Sequence, residues 1–333
     1  MRVRPGLAVD IYNVLPGSLA KYSSDLRKVL LAGGYSATIH SARTTEAVQG
    51  ASSLRRLGNL LHFYGGAYRQ RPTGLVLVVW PFFGYFDMLL WPALVGRART
   101  TMVIVHDVPP LRRQIGSSDA LSTLAARLHV RGVHLLVHDE AAAQDLRSRG
   151  WQGVDVLPHP LIFEPAVKRS SAATQQRLTV AGQYKQSREL QVLIDLGARK
   201  PDGIDLELVG AGWPQIKGWT TQPGFLSDEA FQNAIRESTA LLLPYSAYSQ
   251  SGVAVLAYES GTPVIGLRHP QLMALYGPDY IGYVPELTAP EVIMALARIA
   301  QTPASSWRNA VETRAAACVE QWSDYLSRFR RST

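Results

Sequence analysis

Short apolar runs alternate with helix-length segments along the whole chain. In the first half the runs are "GLAVDIY", "SATIH", "LVLVVW", "TMVIVH", "VHLLVH" and "VDVLP". Continuous apolar runs between amphipathic stretches predict a parallel, doubly wound sheet with both faces covered. The second half repeats the pattern with "RLTVAG", "IDLELVG", "ALLLPY", "TPVIG" and "YIGYV". Two α/β domains are expected, with ligands at the carboxyl ends of strands and in the cleft between domains. Between them "PHPLIFEPAVKRSSAATQQ" reads as a linker, because its prolines and polar tail sustain neither period. The expected layout is a domain at 1–160, a linker at 161–176, a second domain at 177–305 and a helical segment at 306–333. That last segment carries Trp307 and Trp322 as packing anchors and is expected to pack back toward the first domain.

A length of 333 residues suits two domains, each burying its own core. The single cysteine, Cys318, excludes an intrachain disulfide and a thiolate metal cluster, and fits a reducing cytosol. No signal segment is read at the start of the sequence. The net charge of +8 divides unevenly: Lys+Arg against Asp+Glu is 18 against 10 before Pro160 and 16 against 16 after it. A basic first half attracts phosphates, whether on nucleic acid, anionic lipid or a diphosphate-linked substrate. Residues 74–96 are long enough to cross a bilayer, but Pro81, Gly84 and Pro92 punctuate them, so they read as strand, turn and helix. Phe82, Phe83, Tyr85 and Phe86 suit a core, or an interface beside a basic surface. The same two readings hold for the helix at 51–71, which carries Arg55, Arg56, Arg69 and Arg71.

Several stretches carry candidate chemistry. In "PYSAYSQSGVAVLAYESGTPVIG" a strand gives way to Ser249, Gln250, Ser251 and Gly252 at the start of a helix, where unpaired N–H groups attract an anion. A helix merely capped by Ser251 reads equally well. "NVLPGSLAKYSSDLRKVL" repeats the arrangement in the first half. "VIVHDVPP" presents His106 and Asp107 at a strand end, where a catalytic or substrate-orienting side chain would stand; the other reading is a partly buried, satisfied histidine. His138 reads as a helix-entry residue and His159 lies in the linker; the eight histidines lack zinc-site spacing. Gly182 and Lys185 follow a strand, where lysine meets a phosphate as a compact cation. Gly210 and Gly212 in "LVGAGW" fall short of a dinucleotide fingerprint. Ser227 caps an amphipathic helix after Gly224 and Phe225.

In this order the pieces resemble a retaining glycosyltransferase of family 4. The resemblance covers nearly the whole chain and is strongest from Leu178 to Gly266, through "VAGQYK", "VGAG", "GFLSDEAF", "LLLPY" and "SGTPVIG". It implies the GT-B architecture, two Rossmann-like domains with parallel sheets facing a central cleft. It implies that Gly17 and Ser18 approach the donor diphosphate or acceptor, and that His106, beside Asp107, lines the site near the transferred sugar. Lys185 matches the lysine that pairs with the diphosphate, after Gly182, and Gly224 with Phe225 matches the segment beside the base. Tyr245, Ser249, Gln250, Ser251, Gly252 and Val253 fit a variant that holds phosphate with a Ser-x-Ser-Gly turn. The family's two glutamates fall at Tyr248 and Leu256, neither acidic; Glu259 lies about one helical turn beyond. The arginine usual five residues before the lysine is also missing, and Arg188 stands in its place as a candidate.

The resemblance implies transfer of a hexosyl group from a UDP-, GDP- or dTDP-linked donor to an acceptor hydroxyl on a lipid-linked, polysaccharide or glycolipid precursor. It implies no cofactor beyond the nucleotide-sugar as co-substrate, no metal, and a cytoplasmic location with possible attachment to the inner face of the membrane. Two rivals remain: a nucleotide-sugar binder of the same fold without turnover, and a basic nucleic-acid binder, for which no recognition motif is found.

Overall fold

Every apolar run singled out above becomes a strand in the computed structural model, which describes residues 7–43, 53–70, 72, 74–96, 100–106, 108, 116–128, 132–163, 175–222, 224, 226–245 and 251–329. The chain divides into two compact units, Met1–Ile162 with Ala315–Thr333, and Phe163–Arg314.

In the first unit, β1 (Ala8–Asn13), α1 (Ala20–Ala32), β2 (Ser36–Ser41), α2 (Ser53–Gln70) and β3 (Leu75–Val78) are followed by a 3₁₀ turn at Gly84–Phe86 and α3 (Asp87–Val95). Then come β4 (Thr101–Ile104), α4 (Asp119–Arg127), β5 (Val133–Val137), α5 (Glu140–Ser148) and β6 (Val154–Val156). The strands pair in parallel in the order β2-β1-β3-β4-β5-β6. Strands β3 and β4 are buried at every residue, as a strand covered on both faces must be. Tyr12, Tyr64, Met88 and Trp91 pack into one cluster of this unit's core. Residues 74–96 form the strand, turn and helix expected of them, and no described helix is long and apolar enough to cross a membrane.

The second unit runs β7 (Gln176–Ala181), α6 (Leu190–Ala198), β8 (Ile204–Val209), β9 (Thr220–Gln222), α7 (Asp228–Glu237), β10 (Ala240–Leu242), α8 (Gly252–Glu259), β11 (Val264–Leu267), α9 (Pro270–Tyr276), β12 (Tyr283–Val284) and α10 (Ala289–Ala300). The parallel order is β12-β11-β10-β7-β8-β9. Strand β9 went unread because "TTQ" is a short polar edge strand without an apolar run. The last helix, α11 (Ala304–Ser327), divides between the units at Arg314. In the first unit its Trp322 indole donates to the Pro158 carbonyl at 3.0 Å and the Tyr325 hydroxyl to Asp155 at 2.8 Å.

Each sheet has one point where successive strands depart in opposite directions. It lies between β1 and β3 in the first unit and between β7 and β10 in the second. Diverging loops at the carboxyl ends of such a strand pair open a crevice, the usual ligand position in open α/β sheets.

Candidate functional site

The second unit gathers Gly182, Arg188, Tyr245, Ser251 and Val253 at the point between β7 and β10. The loop after β7 is tied to the loop after β10 by the Glu189 amide, which donates to the Pro244 carbonyl at 2.7 Å. Gly182 has φ +99, and a Cβ there would meet Arg188 Nη2 at 3.3 Å and Val253 Cγ2 at 3.4 Å. A glycine is what lets these groups close on the strand end.

Arg188 lies with its guanidinium carbon 4.4 Å from the Tyr245 ring centre and 5.8 Å from that of Trp213. Its Nη1 is buried without a hydrogen-bond partner, and none of the ion pairs among the described residues includes it. Burial lowers its pKa from the usual arginine range, with the Tyr245 hydroxyl opposing. Its Nη2 donates to the Gln183 carbonyl at 3.5 Å, and a cation held by ring faces rather than a carboxylate keeps Nη1 for an incoming anion. Tyr245 is itself buried, which raises its pKa, and its hydroxyl is 2.7 Å from Ser251 Oγ.

Ser251 caps α8: its Oγ accepts from the Ala254 amide at 3.3 Å, so the capping alternative is realised. The Ser251 amide donates to Gln271 Oε1 at 2.7 Å, and Gln271 Nε2 donates back to the Ser251 carbonyl at 3.3 Å. Two first-turn amides, Gly252 and Val253, find no acceptor among the described residues. Capping and anion binding are therefore compatible here, since the cap uses one donor and leaves two.

Other sequence candidates lie elsewhere. Lys185 is exposed on the same loop, and its carbonyl accepts from the Arg188 amide at 2.9 Å. Glu259 ends α8, about 10 Å along the helix from Gly252, so it does not join the Arg188 group. Gly224, at φ +88, is exposed after β9, and Ser227 caps α7 by accepting from the Ala230 amide at 3.2 Å. Ser249, Gln250, Phe225 and Asp107 lie outside the described residues. Trp213 and Gln271 were missed; the only sign of Trp213 was its place directly after "VGAG".

In the first unit Gly17 and Ser18 are exposed in the turn before α1, a helix whose N-terminal position, Leu19, offers no side-chain cap. His106 is buried beyond β4 and donates from Nε2 to the Val79 carbonyl at 3.0 Å, so the satisfied-histidine reading applies to that nitrogen. Its ring stacks on Trp80 at 5.8 Å and meets Tyr22 edge-on at 4.7 Å. His138 stands at the entry to α5, directly before its cap Asp139, and is buried there. His138 Nδ1 donates to the Leu157 carbonyl at 2.9 Å, so its Nε2 accepts from the Tyr22 hydroxyl at 2.9 Å. Desolvation, then the neighbouring His106, lowers the His138 pKa to about 3, and burial likewise holds His159 well below the usual range. These rings are neutral near pH 7. No group of three His, Cys, Asp or Glu able to hold a metal ion occurs among the described residues.

No protein-family model and no curated protein sequence matches the chain. Solved structures do. Sucrose-phosphate synthase from Thermosynechococcus elongatus superposes with TM-score 0.70 at 14% identity, over 98% of this chain and 100% of that one. A UDP-forming α,α-trehalose-phosphate synthase from Burkholderia xenovorans gives 0.60 at 12%, over 98% of both chains. TarM gives 0.59 at 11%, over 79% of this chain; the match spans 58% of TarM, and S. aureus TarM has also been solved with UDP. Together the two parallel six-stranded sheets and these likenesses establish an α/β chain of GT-B type with two Rossmann-like units.

Proposed function

We propose that the chain is a glycosyltransferase of the family 4 kind, which transfers a sugar from a nucleotide diphosphate donor to an acceptor hydroxyl with retention of configuration. The observation that carries the reading is Arg188, a half-buried cation whose Nη1 is buried without a hydrogen-bond partner, at the crevice between β7 and β10. The UDP bound by the structural neighbour TarM supports a nucleoside diphosphate as its ligand.

The donor diphosphate lies across Gly182, where the missing side chain admits close approach. Negative charge builds on it as the glycosidic bond breaks. Arg188 and the amides of Gly252 and Val253 are in place before the reaction and stabilise that charge without reorganising. Lys185 adds a second cation from the same loop, and the family resemblance assigns Gly224 and Phe225 to the base. It likewise assigns His106, whose Nε2 donates to the Val79 carbonyl, and Asp107 to the sugar, and Gly17 and Ser18 to the diphosphate or acceptor. The chemistry is metal-independent and the acceptor is a lipid-linked or glycan precursor at the inner face of the membrane.

The test is a thermal-shift screen against UDP, GDP, dTDP and ADP and their sugar-linked forms. A ligand that binds only the folded protein stabilises it by about 2.7 kcal/mol at a hundredfold excess over its dissociation constant. One base is expected to raise the midpoint, with release of its diphosphate from the sugar-linked form when acceptor is supplied. No shift with any of them contradicts the donor site. A shift without turnover favours the binding-only rival.

A further inference from the structure

From Ala47 to His106 the sequence contains six arginines (55, 56, 69, 71, 97 and 99) and one carboxylate, Asp87. Asp87 is fully buried and accepts from the Phe83 amide at 3.0 Å and the Tyr64 hydroxyl at 3.1 Å. Sixty consecutive residues thus place no carboxylate at the surface where they are described.

Helix α2 lies within this stretch. Phe63, Tyr64 and Ala67 are buried among its described side chains. At about 100° per residue, Leu57, Leu61 and Tyr68 lie within about 40° of one another, along the edge of the buried sector. They are 50%, 66% and 56% exposed. The apolar sector of α2 is therefore wider than the core beneath it covers. About 100° further round lie the exposed His62 and Arg69. Phe86, 47% exposed, stands on the turn next to Phe83, whose ring is 5.6 Å from that of Tyr64.

We propose that the Leu57–Leu61–Tyr68 stripe of α2 is a docking surface for an anionic lipid bilayer. The exposed leucines and tyrosine enter the headgroup–acyl boundary, and the flanking Arg69 meets lipid phosphates. Charge complementarity selects this occupant: a stripe beside the exposed Arg69, in a sequence stretch of six arginines whose one carboxylate is buried, suits a negative sheet better than a second copy of the same stretch. The inference deepens the lipid-linked acceptor reading, but its test reads vesicle binding with no nucleotide present, so either can fail alone.

The experiment is co-sedimentation of the full chain with vesicles of phosphatidylcholine alone or mixed with phosphatidylglycerol, at low and high salt. Binding is expected only with the anionic vesicles and weaker at high salt. Leu57→Asp with Leu61→Asp is expected to lower partitioning at least about tenfold, and Arg69→Glu about fivefold or more. These exposed positions leave folding intact, checked by unchanged circular dichroism and melting. Equal binding to both vesicle types, or binding unaffected by the variants, overturns the proposal. So does concentration-dependent dimerisation abolished by the leucine variants in a protein that leaves vesicles alone.

Discussion

Arg188 rests on Tyr245, with the guanidinium carbon 4.4 Å from the ring centre, and the same tyrosine hydroxyl is 2.7 Å from Ser251, the cap of α8. One side chain thus orients both the cation and the helix start. Tyr245→Phe keeps the ring and removes the hydroxyl, with its bond to Ser251 and its interaction with Arg188. It is expected to cost about 1 kcal/mol of stability and leave nucleotide affinity nearly unchanged. Tyr245→Leu removes the platform as well, and its nucleotide affinity is expected to fall several-fold further. Calorimetric titration of both variants decides it; equal affinities would show that the ring does not position Arg188.

Gly182→Ala imposes a side chain at φ +99, tight against Arg188 and Val253. The backbone strain alone is expected to cost about 1–3 kcal/mol, read as a lower denaturation midpoint. Nucleotide binding should weaken too, because the new methyl displaces the guanidinium. A variant as stable as the parent would mean that the strand end relaxes freely.

Tyr22→Phe leaves His138 Nε2 buried without its donor, since Nδ1 is committed to Leu157. An unpaired buried acceptor costs about 1–3 kcal/mol. Urea unfolding measures this, and an unchanged midpoint would remove the Tyr22–His138 bond from the account of the first unit.

The acid response follows from groups with opposite signs. His138, lowered to about 3, and His159 are neutral when folded and protonate when unfolded, so each makes stability fall as pH drops below about 6.5. Asp87, pushed up to about 7 by burial against its hydrogen bonds, does the reverse and makes stability fall as pH rises from about 4 to 7. Asp87→Asn removes that opposing slope. Stability is then expected to rise more steeply between pH 4 and 6.5, by up to about 1.4 kcal/mol per pH unit. Unfolding free energies of parent and variant across this range are the check, and parallel curves would sink it.

The strands of the parallel sheets and the segment 74–96 were legible because an apolar run flanked by Pro or Gly leaves few other placements. Ser227 and Ser251 were legible as caps because a cap is local, three residues from the amide it takes. Arg188 was visible only as a stand-in for a missing arginine, since its burial depends on Tyr245, fifty-seven positions later in the sequence (245 − 188). The burial of His138 went unread for the same reason: its partner Tyr22 lies 116 residues away. Side-chain pairs of that span leave no periodic trace.

The most direct test of the donor site compares binding of the favoured nucleoside diphosphate and its phosphate-free nucleoside to the parent and Arg188→Met, by isothermal titration. Loss of a charged contact is expected to weaken diphosphate binding about tenfold or more while nucleoside binding stays the same. Equal diphosphate affinity in parent and variant would contradict the site at β7 and β10.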